Sequence, residues 1–201
     1  MAQTFAWIAV LIALVTSVGV LLVRDWRTLI ILLAVQYVAM FILCFGHLPL
    51  GMASVKVVVG WMSAAILGMT RSGSTAWESD EESNLPRGRL FRLFAAGMVG
   101  IIVTGIAPRV DNLMADAGIA VSAGSLLLIG MGLLHLGLTA NTLRITLGLM
   151  TVLSGFEILY AAVETSVLVT ALLAVVILGL ALVGSYLLLA GNATQVEEES
   201  A

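Results

Sequence analysis

One acidic residue lies deep inside a long apolar stretch in the second half of the chain. Glu157 stands within the run Thr142–Val163, which is long enough to cross a bilayer. A carboxylate at membrane depth is costly unless it is paired, protonated or hydrated, so Glu157 is a candidate site for proton or ion transfer. We expect its helix face to contact protein or water, because the other residues on that face are mostly small or polar: Thr146, Met150, Ser154, Ala161 and Glu164.

A lysine provides a possible partner for this carboxylate. Four-residue steps from Lys56 reach Gly60, Ala64 and Gly68, a stripe of small residues that favours close contact between helices. The alternative is that the lysine side chain extends to the outer surface of the membrane. Helical rise and membrane thickness place the Lys56 Cα about 9 Å, and the Glu157 Cα about 10 Å, below that surface. This similar depth leads to the hypothesis that the two side chains form an ion pair.

Two further polar residues lie toward the inner side of the predicted spans. His135 could relay protons, because imidazole titrates near neutral pH, or it could hydrogen-bond to a backbone carbonyl. Gln36, about 12 Å from the inner end of its span, could order water or join helices by hydrogen bonds. Together with Lys56 and Glu157 they would form the broken polar file that proton conduction requires. Accessory candidates are Ser154, Arg144 and Glu164, the last of which we expect to be solvated at the outer end.

The composition places these residues in an integral membrane protein. Of 201 residues, 61% are hydrophobic and 10% are charged, against roughly 25% charged in an average soluble domain. The net charge of −3 comes largely from two acidic clusters and does not indicate nucleic-acid binding. Cys44 is the single cysteine, which excludes a disulfide framework. Because we find no Walker loop, dinucleotide fingerprint or Cys/His cluster, we expect no cofactor, no metal and no catalytic residue in this chain.

Seven apolar runs predict an all-α fold of about seven transmembrane helices. The N-terminus lacks the basic region of a signal peptide, so we expect the first run to be retained. We divide the chain into a three-helix segment (1–71), an acidic and basic loop (72–89), a four-helix segment (90–191) and a disordered acidic tail (192–201). The predicted spans are Phe5–Val23, Thr28–Gly46, Leu50–Thr70, Leu90–Ala107, Gly118–Thr139, Thr142–Val163 and Ser166–Ala190.

The arginines predict the orientation of these spans. The chain ends and loops on one side of the predicted spans carry nearly all of the arginines, and those on the opposite side carry only Arg109. By the positive-inside rule the N-terminus is outside and the C-terminus inside, in the inner (cytoplasmic) membrane of a cell. The inside set is Arg24, Arg27, Arg71, Arg87, Arg89, Arg92 and Arg144.

Short motifs in both halves resemble a known family. Asn141 to Arg144, followed by Gly148 and then by Ser154-Gly-Phe-Glu-Ile158, resembles hydrogenase-4 component E, a membrane protein of the hydrogenase-4 and formate hydrogenlyase type of complex. The second half is also similar to the K subunit of respiratory complex I and the C subunit of Mrp antiporters. In the front half, the Arg27 and Gln36 spacing and the segment Ala53–Val57 resemble the second and third helices of hydrogenase-4 component E.

The resemblance implies a role in ion translocation within a larger complex. Acidic residues on K-like helices of the family lie on a hydrated axis, so Glu157 would be the titrating site and Lys56 would modulate its charge. His135 and Gln36 would order water. The implied partners are membrane lipid, larger antiporter-like membrane subunits and peripheral redox subunits. The chain departs from the family at two positions. A gapless match places the acidic residue of the hydrogenase-type sequences at Leu153, and Thr170 stands near the position of another acidic residue of the family.

Two other functions fit the same residues. The helices could serve only as a scaffold in such a complex, with Glu157 neutral or paired. Alternatively, the chain could be a stand-alone secondary transporter of the small multidrug or metabolite kind, in which Glu157 couples transport to protons. Transporters of that kind often show inverted repeats. We find no convincing repeat, and seven spans divide poorly into two halves.

Overall fold

Seven α-helices make up the part of the chain that the structure describes. The computed structural model describes residues 2–73, 88–114 and 117–199, with side chains described for 3–191 within those ranges. All seven helices are long and apolar enough to cross a membrane, which confirms that the seven predicted apolar runs are helical in the part of the chain that the structure describes. They are α1 (Ala2–Leu22), α2 (Trp26–Cys44), α3 (Leu50–Gly73), α4 (Arg89–Leu113), α5 (Ile119–Leu138), α6 (Thr142–Val163) and α7 (Val167–Glu199).

Two helices run further than the sequence predicted. α4 continues past Ala107 to Leu113, with Pro108 inside its final turns. α7 continues to Glu199, so the prediction of a disordered tail over 192–201 is wrong for the backbone of 192–199. The acidic composition of that stretch predicts a solvated segment, but an established helix extends at little cost because each added residue contributes one more hydrogen bond. The acidic run of the third loop, with Pro86 and Arg87, lies outside the described residues.

The two segments of the chain pack together. α5 and α6 are the most buried helices, and α4 and α7 are the least buried. α3 contacts α7 as well as α2, and α1 contacts α5, so helices from both segments contribute to one core. Glycines permit a close approach between α5 and α6. A Cβ on Gly155 would meet the Ser125 carbonyl oxygen at 2.6 Å, and one on Gly132 would meet the Val152 backbone nitrogen at 2.8 Å.

Buried arginines join three helix ends on one side of the bundle. The last carbonyl groups of a helix have no partner within the helix, and cations near them are favourable. Arg92, at the start of α4, donates from Nη1 to the Leu21 carbonyl oxygen at 3.1 Å. Arg144, at the start of α6, donates from Nη2 to the Val23 carbonyl oxygen at 2.8 Å. The end of α1 is thereby tied to the starts of α4 and α6. The direction in which the bundle inserts into a membrane stays a prediction.

Candidate functional site

The centre of the candidate site is an ion pair between α3 and α6. Lys56 Nζ lies 3.1 Å from Glu157 Oε2, and the two side chains are only 4% and 2% exposed. The hypothesis that the two side chains form an ion pair is therefore confirmed, and the alternative in which the Lys56 side chain extends to the surface of the protein is wrong. Two opposite charges can offset each other's desolvation cost only at such short range.

α2 lies beside the two helices that carry Lys56 and Glu157. It contacts both α3 and α6, and its Tyr37 is fully buried. The Tyr37 ring lies directly over Gly60, where a Cβ would overlap the ring. The Tyr37 hydroxyl lies near Ser154 and Glu157. The stripe of small residues that begins at Lys56 therefore does allow close helix contact, and the helix it faces is α2.

Sequence reasoning missed two α2 residues beside the ion pair. Tyr37 follows Gln36 directly, and a tyrosine in the middle of an apolar span is a signal that could have identified it. Cys44 is also buried and lies close enough to interact electrostatically with both Lys56 and Glu157. No feature of the sequence around Cys44 distinguishes it from an ordinary buried cysteine.

The polar face of α6 is buried as predicted. Five of the residues on it are at most 5% exposed: Thr146, Met150, Ser154, Glu157 and Ala161. Ser154 Oγ donates to the Met150 carbonyl oxygen at 2.8 Å, so this accessory candidate is satisfied within its own helix. Glu164 is exposed at the C-terminal end of α6, in agreement with the expectation that it is solvated.

Several polar atoms on α2, α3 and α6 are buried without a hydrogen-bond partner among the described residues. They include both amide atoms of Gln36, the Tyr37 hydroxyl, Ser63 Oγ and Glu157 Oε2. Although the Lys56 ammonium is 3.1 Å from Oε2, the angles at this contact do not suit a hydrogen bond. Buried polar groups are nearly always paired in native proteins, and exceptions occur at functional sites and where water binds.

His135 lies apart from the ion pair, near the arginine-rich ends of the helices. Its ring is 4% exposed and near Arg144. Neither ring nitrogen has a hydrogen-bond partner in the described part of the chain, so the proposed bond to a backbone carbonyl is not formed there. The Arg144 backbone is close to the ring, but its geometry falls short of a hydrogen bond.

The candidate residues therefore lie at different positions along their helices and do not form one cluster. Helical rise puts Glu157 about 20 Å along α6 from Arg144 and puts Gln36 about 15 Å along α2 from its first residue. His135 is in the last turn of α5. Within the described ranges, no group of three or more His, Cys, Asp or Glu side chains could hold a metal ion. The chemistry that this arrangement supports is the movement of charge between buried ionisable groups.

Comparisons with protein-family models, with curated proteins and with solved structures found no match to this chain.

Proposed function

We propose that this multi-pass membrane protein is a small membrane-arm subunit of a complex I-like or group 4 hydrogenase-like oxidoreductase assembly, in which it helps to translocate protons or sodium ions. The observation that supports this most is the Lys56–Glu157 ion pair, 3.1 Å long and buried between α3 and α6. Ionisable residues inside a membrane are expensive, and they occur mainly where ions or protons move. The resemblance of both pair-bearing segments to hydrogenase-4 component E points in the same direction.

In this proposal Glu157 is the group that gains and loses the proton. When Glu157 is protonated, the attraction to Lys56 is lost, and the ammonium is left to repel a further cation until Glu157 ionises again. Gln36 and Tyr37 present buried polar atoms on the adjacent helix that could hold the water through which protons pass. His135 would continue this file toward the arginine-rich side.

The redox chemistry belongs to partner subunits in this proposal. The partners are larger antiporter-like membrane subunits and peripheral redox subunits, in the inner (cytoplasmic) membrane with the N-terminus of this chain outside. α4 and α7 present the broadest apolar surfaces to the surroundings, where lipid or such subunits would pack. Exposed side chains on these two helices include Phe94, Ile101, Ile102, Leu168, Leu172 and Val175.

Glu157→Gln is expected to lower the rate of ion translocation per assembled complex, because glutamine keeps the size of the side chain but cannot gain and lose the proton. The assembly purified with the tagged chain is reconstituted into liposomes, and proton uptake is followed with a pH-sensitive dye. We expect at least an approximately tenfold lower rate. The control is Glu164→Gln, which removes the exposed carboxylate of the same helix. Unchanged uptake with Glu157→Gln would contradict the proposal.

A scaffold role is the second candidate, and the geometry of the pair favours it in one respect. An ion pair whose two side chains are in direct contact and both buried can also serve simply to join two helices. Under this alternative, Glu157→Gln lowers the stability of the bundle but leaves the rate of proton uptake per assembled complex unchanged.

Affinity purification separates both candidates from a stand-alone transporter. The tagged chain is isolated in a gentle detergent, and co-purifying proteins are identified by mass spectrometry. We expect antiporter-like and iron–sulfur or hydrogenase-like subunits in a fixed ratio. If the chain purifies alone or only with copies of itself, the complex is excluded, and a proton-coupled transporter becomes the better interpretation.

A further inference from the structure

An apolar cavity lies at the end of the bundle opposite the buried arginines that bind the end of α1. Its volume is about 650 Å³, within the range of about 300–1,000 Å³ that is usual for small-molecule sites. Three segments line it: the start of α1, the end of α2 with the turn that follows, and the start of α5. The cavity is therefore large enough to hold part of a lipid molecule.

The lining of this cavity is mainly aromatic and aliphatic. Phe5, Phe41 and Phe45 all contribute to it, and none of the described residues that line it is Asp, Glu, Lys or Arg. Phe5 and Phe45 are 60% and 55% exposed, so the cavity opens at the surface of the bundle. This surface belongs to helices that are long and apolar enough to cross a membrane. In a membrane, the molecules next to the opening are lipids.

The position of the cavity along the helices matches that of lipid ester groups. α1 has 21 residues, so at about 1.5 Å per residue it is about 30 Å long. The hydrocarbon core of a bilayer is also about 30 Å thick, and the polar headgroup region lies outside it. A cavity at the start of α1 therefore lies at the boundary between the acyl chains and the headgroups, where ester carbonyl groups join the two.

His47 places a hydrogen-bond donor at this cavity. Its backbone N–H donates to the Cys44 carbonyl oxygen at 3.0 Å, which holds the turn after α2 in place. The ring is partly buried, and its Nδ1 is buried without a hydrogen-bond partner among the described residues. A buried N–H without an acceptor is rarer than an unpaired acceptor, so we assign the proton of the neutral ring to Nε2. Nε2–H is then the donor available to a molecule in the cavity.

The start of α5 adds two backbone donors. The first N–H groups of a helix have no partner within it, and the N-cap residue here, Gly118, has no side chain that could accept from them. The N–H groups of Val121 and Ser122 donate to the Gly118 carbonyl oxygen at 2.9 and 3.2 Å. Those of Ile119 and Ala120 have no acceptor in the part of the chain that the structure describes. Both residues line the cavity, so its unpaired polar groups are donors.

We propose that this cavity binds one acyl chain of a membrane phospholipid, whose ester carbonyl oxygen accepts hydrogen bonds from His47 and from the start of α5. The aromatic and aliphatic lining suits the hydrocarbon chain, and the donors suit an uncharged oxygen. An ionised fatty acid fits less well, because the described lining has no Lys or Arg to pair with a carboxylate. The bound lipid joins α1, α2 and α5. It acts on the stability of the bundle and is independent of ion translocation at Glu157.

The test is lipid binding by the full chain in mild detergent. Diester phosphatidylcholine, its diether analogue and palmitate are titrated separately. Bound molecules are counted by native mass spectrometry, and the unfolding temperature is recorded. We expect the diester lipid to bind and to raise the unfolding temperature as its concentration increases. The diether lipid has the same chains and headgroup but no ester carbonyl, so its affinity should be about threefold to tenfold lower. Equal affinities for the two lipids, or tighter binding of palmitate, would overturn the proposal.

Variants of the lining test the position of the site. Ala6→Phe adds a ring to the cavity, because Ala6 lines it and is only partly buried. We expect this variant to lose the tightly bound diester lipid. Gly97→Phe is the matched control, since it adds the same ring to the surface of α4, where nothing lies within 4 Å of a Cβ. Equal lipid binding by Ala6→Phe and Gly97→Phe would overturn the proposal.

His47→Phe tests the hydrogen bond to the carbonyl oxygen. The substitution keeps an aromatic ring at the cavity but removes the Nε2–H donor. We expect the affinity for the diester lipid to fall about threefold to tenfold, while the affinity for the diether lipid stays unchanged. An unchanged preference for the diester over the diether lipid would contradict the proposed role of His47.

Discussion

Lys56→Met is expected to lower the free energy of unfolding by about 3–5 kcal/mol, because it leaves the Glu157 carboxylate buried without its counter-charge. Methionine has a similar length and suits an apolar environment, so the loss of charge is the main change. The measurement is thermal or denaturant-induced unfolding of the full chain in mild detergent. The control is Glu164→Gln, whose exposed side chain should change the stability by no more than about 0.5 kcal/mol.

The double variant Lys56→Met with Glu157→Gln should be more stable than Lys56→Met alone, because neither charge is then buried without a partner. The four proteins form a double-mutant cycle, from which the coupling energy between the two side chains is obtained. A coupling energy near zero would contradict the ion pair seen at 3.1 Å. Because Lys56 is the only lysine in the chain, resistance of the native protein to amine-reactive reagents measures its burial independently.

Gly155→Leu is expected to destabilise the bundle by about 1–3 kcal/mol or more, since overpacking forces helices apart. A Cβ at this position would meet the Ser125 carbonyl oxygen at 2.6 Å and the Ile129 backbone nitrogen at 2.8 Å. Both are backbone atoms of α5, which cannot move aside by changing a side-chain rotamer. Unfolding in detergent is again the measurement.

The matched control for this substitution is Gly97→Leu on α4. Gly97 is exposed, and nothing lies within 4 Å of the position that a Cβ would take. Leucine also favours the helix over glycine by roughly 0.5–1 kcal/mol, so this variant should be at least as stable as the parent chain. If Gly155→Leu and Gly97→Leu have the same free energy of unfolding, that result contradicts the close packing of α5 on α6.

The helices and their approximate ends could be predicted from the order of residues alone. An apolar run of about 20 residues has to satisfy its backbone groups internally in lipid, so only a helix fits. Periodicity along α6 then predicted the buried face of Glu157. The matching positions of Lys56 and Glu157 along their helices also followed from local geometry, because each helical residue advances by a constant rise. For this reason the ion pair could be predicted from the sequence.

The tertiary structure decided which helices are neighbours. Seven apolar helices have similar surfaces, so composition does not show that α3 packs on α7 or that α2 contacts both α3 and α6. The environment of Tyr37 and Cys44 could not be predicted for that reason. The same holds for the arginines: their number in the loops follows from the sequence, but the bonds of Arg92 and Arg144 to the end of α1 require three helix ends to meet. Side-chain contacts between distant segments depend on packing, whereas helix formation and depth in the membrane depend on local sequence.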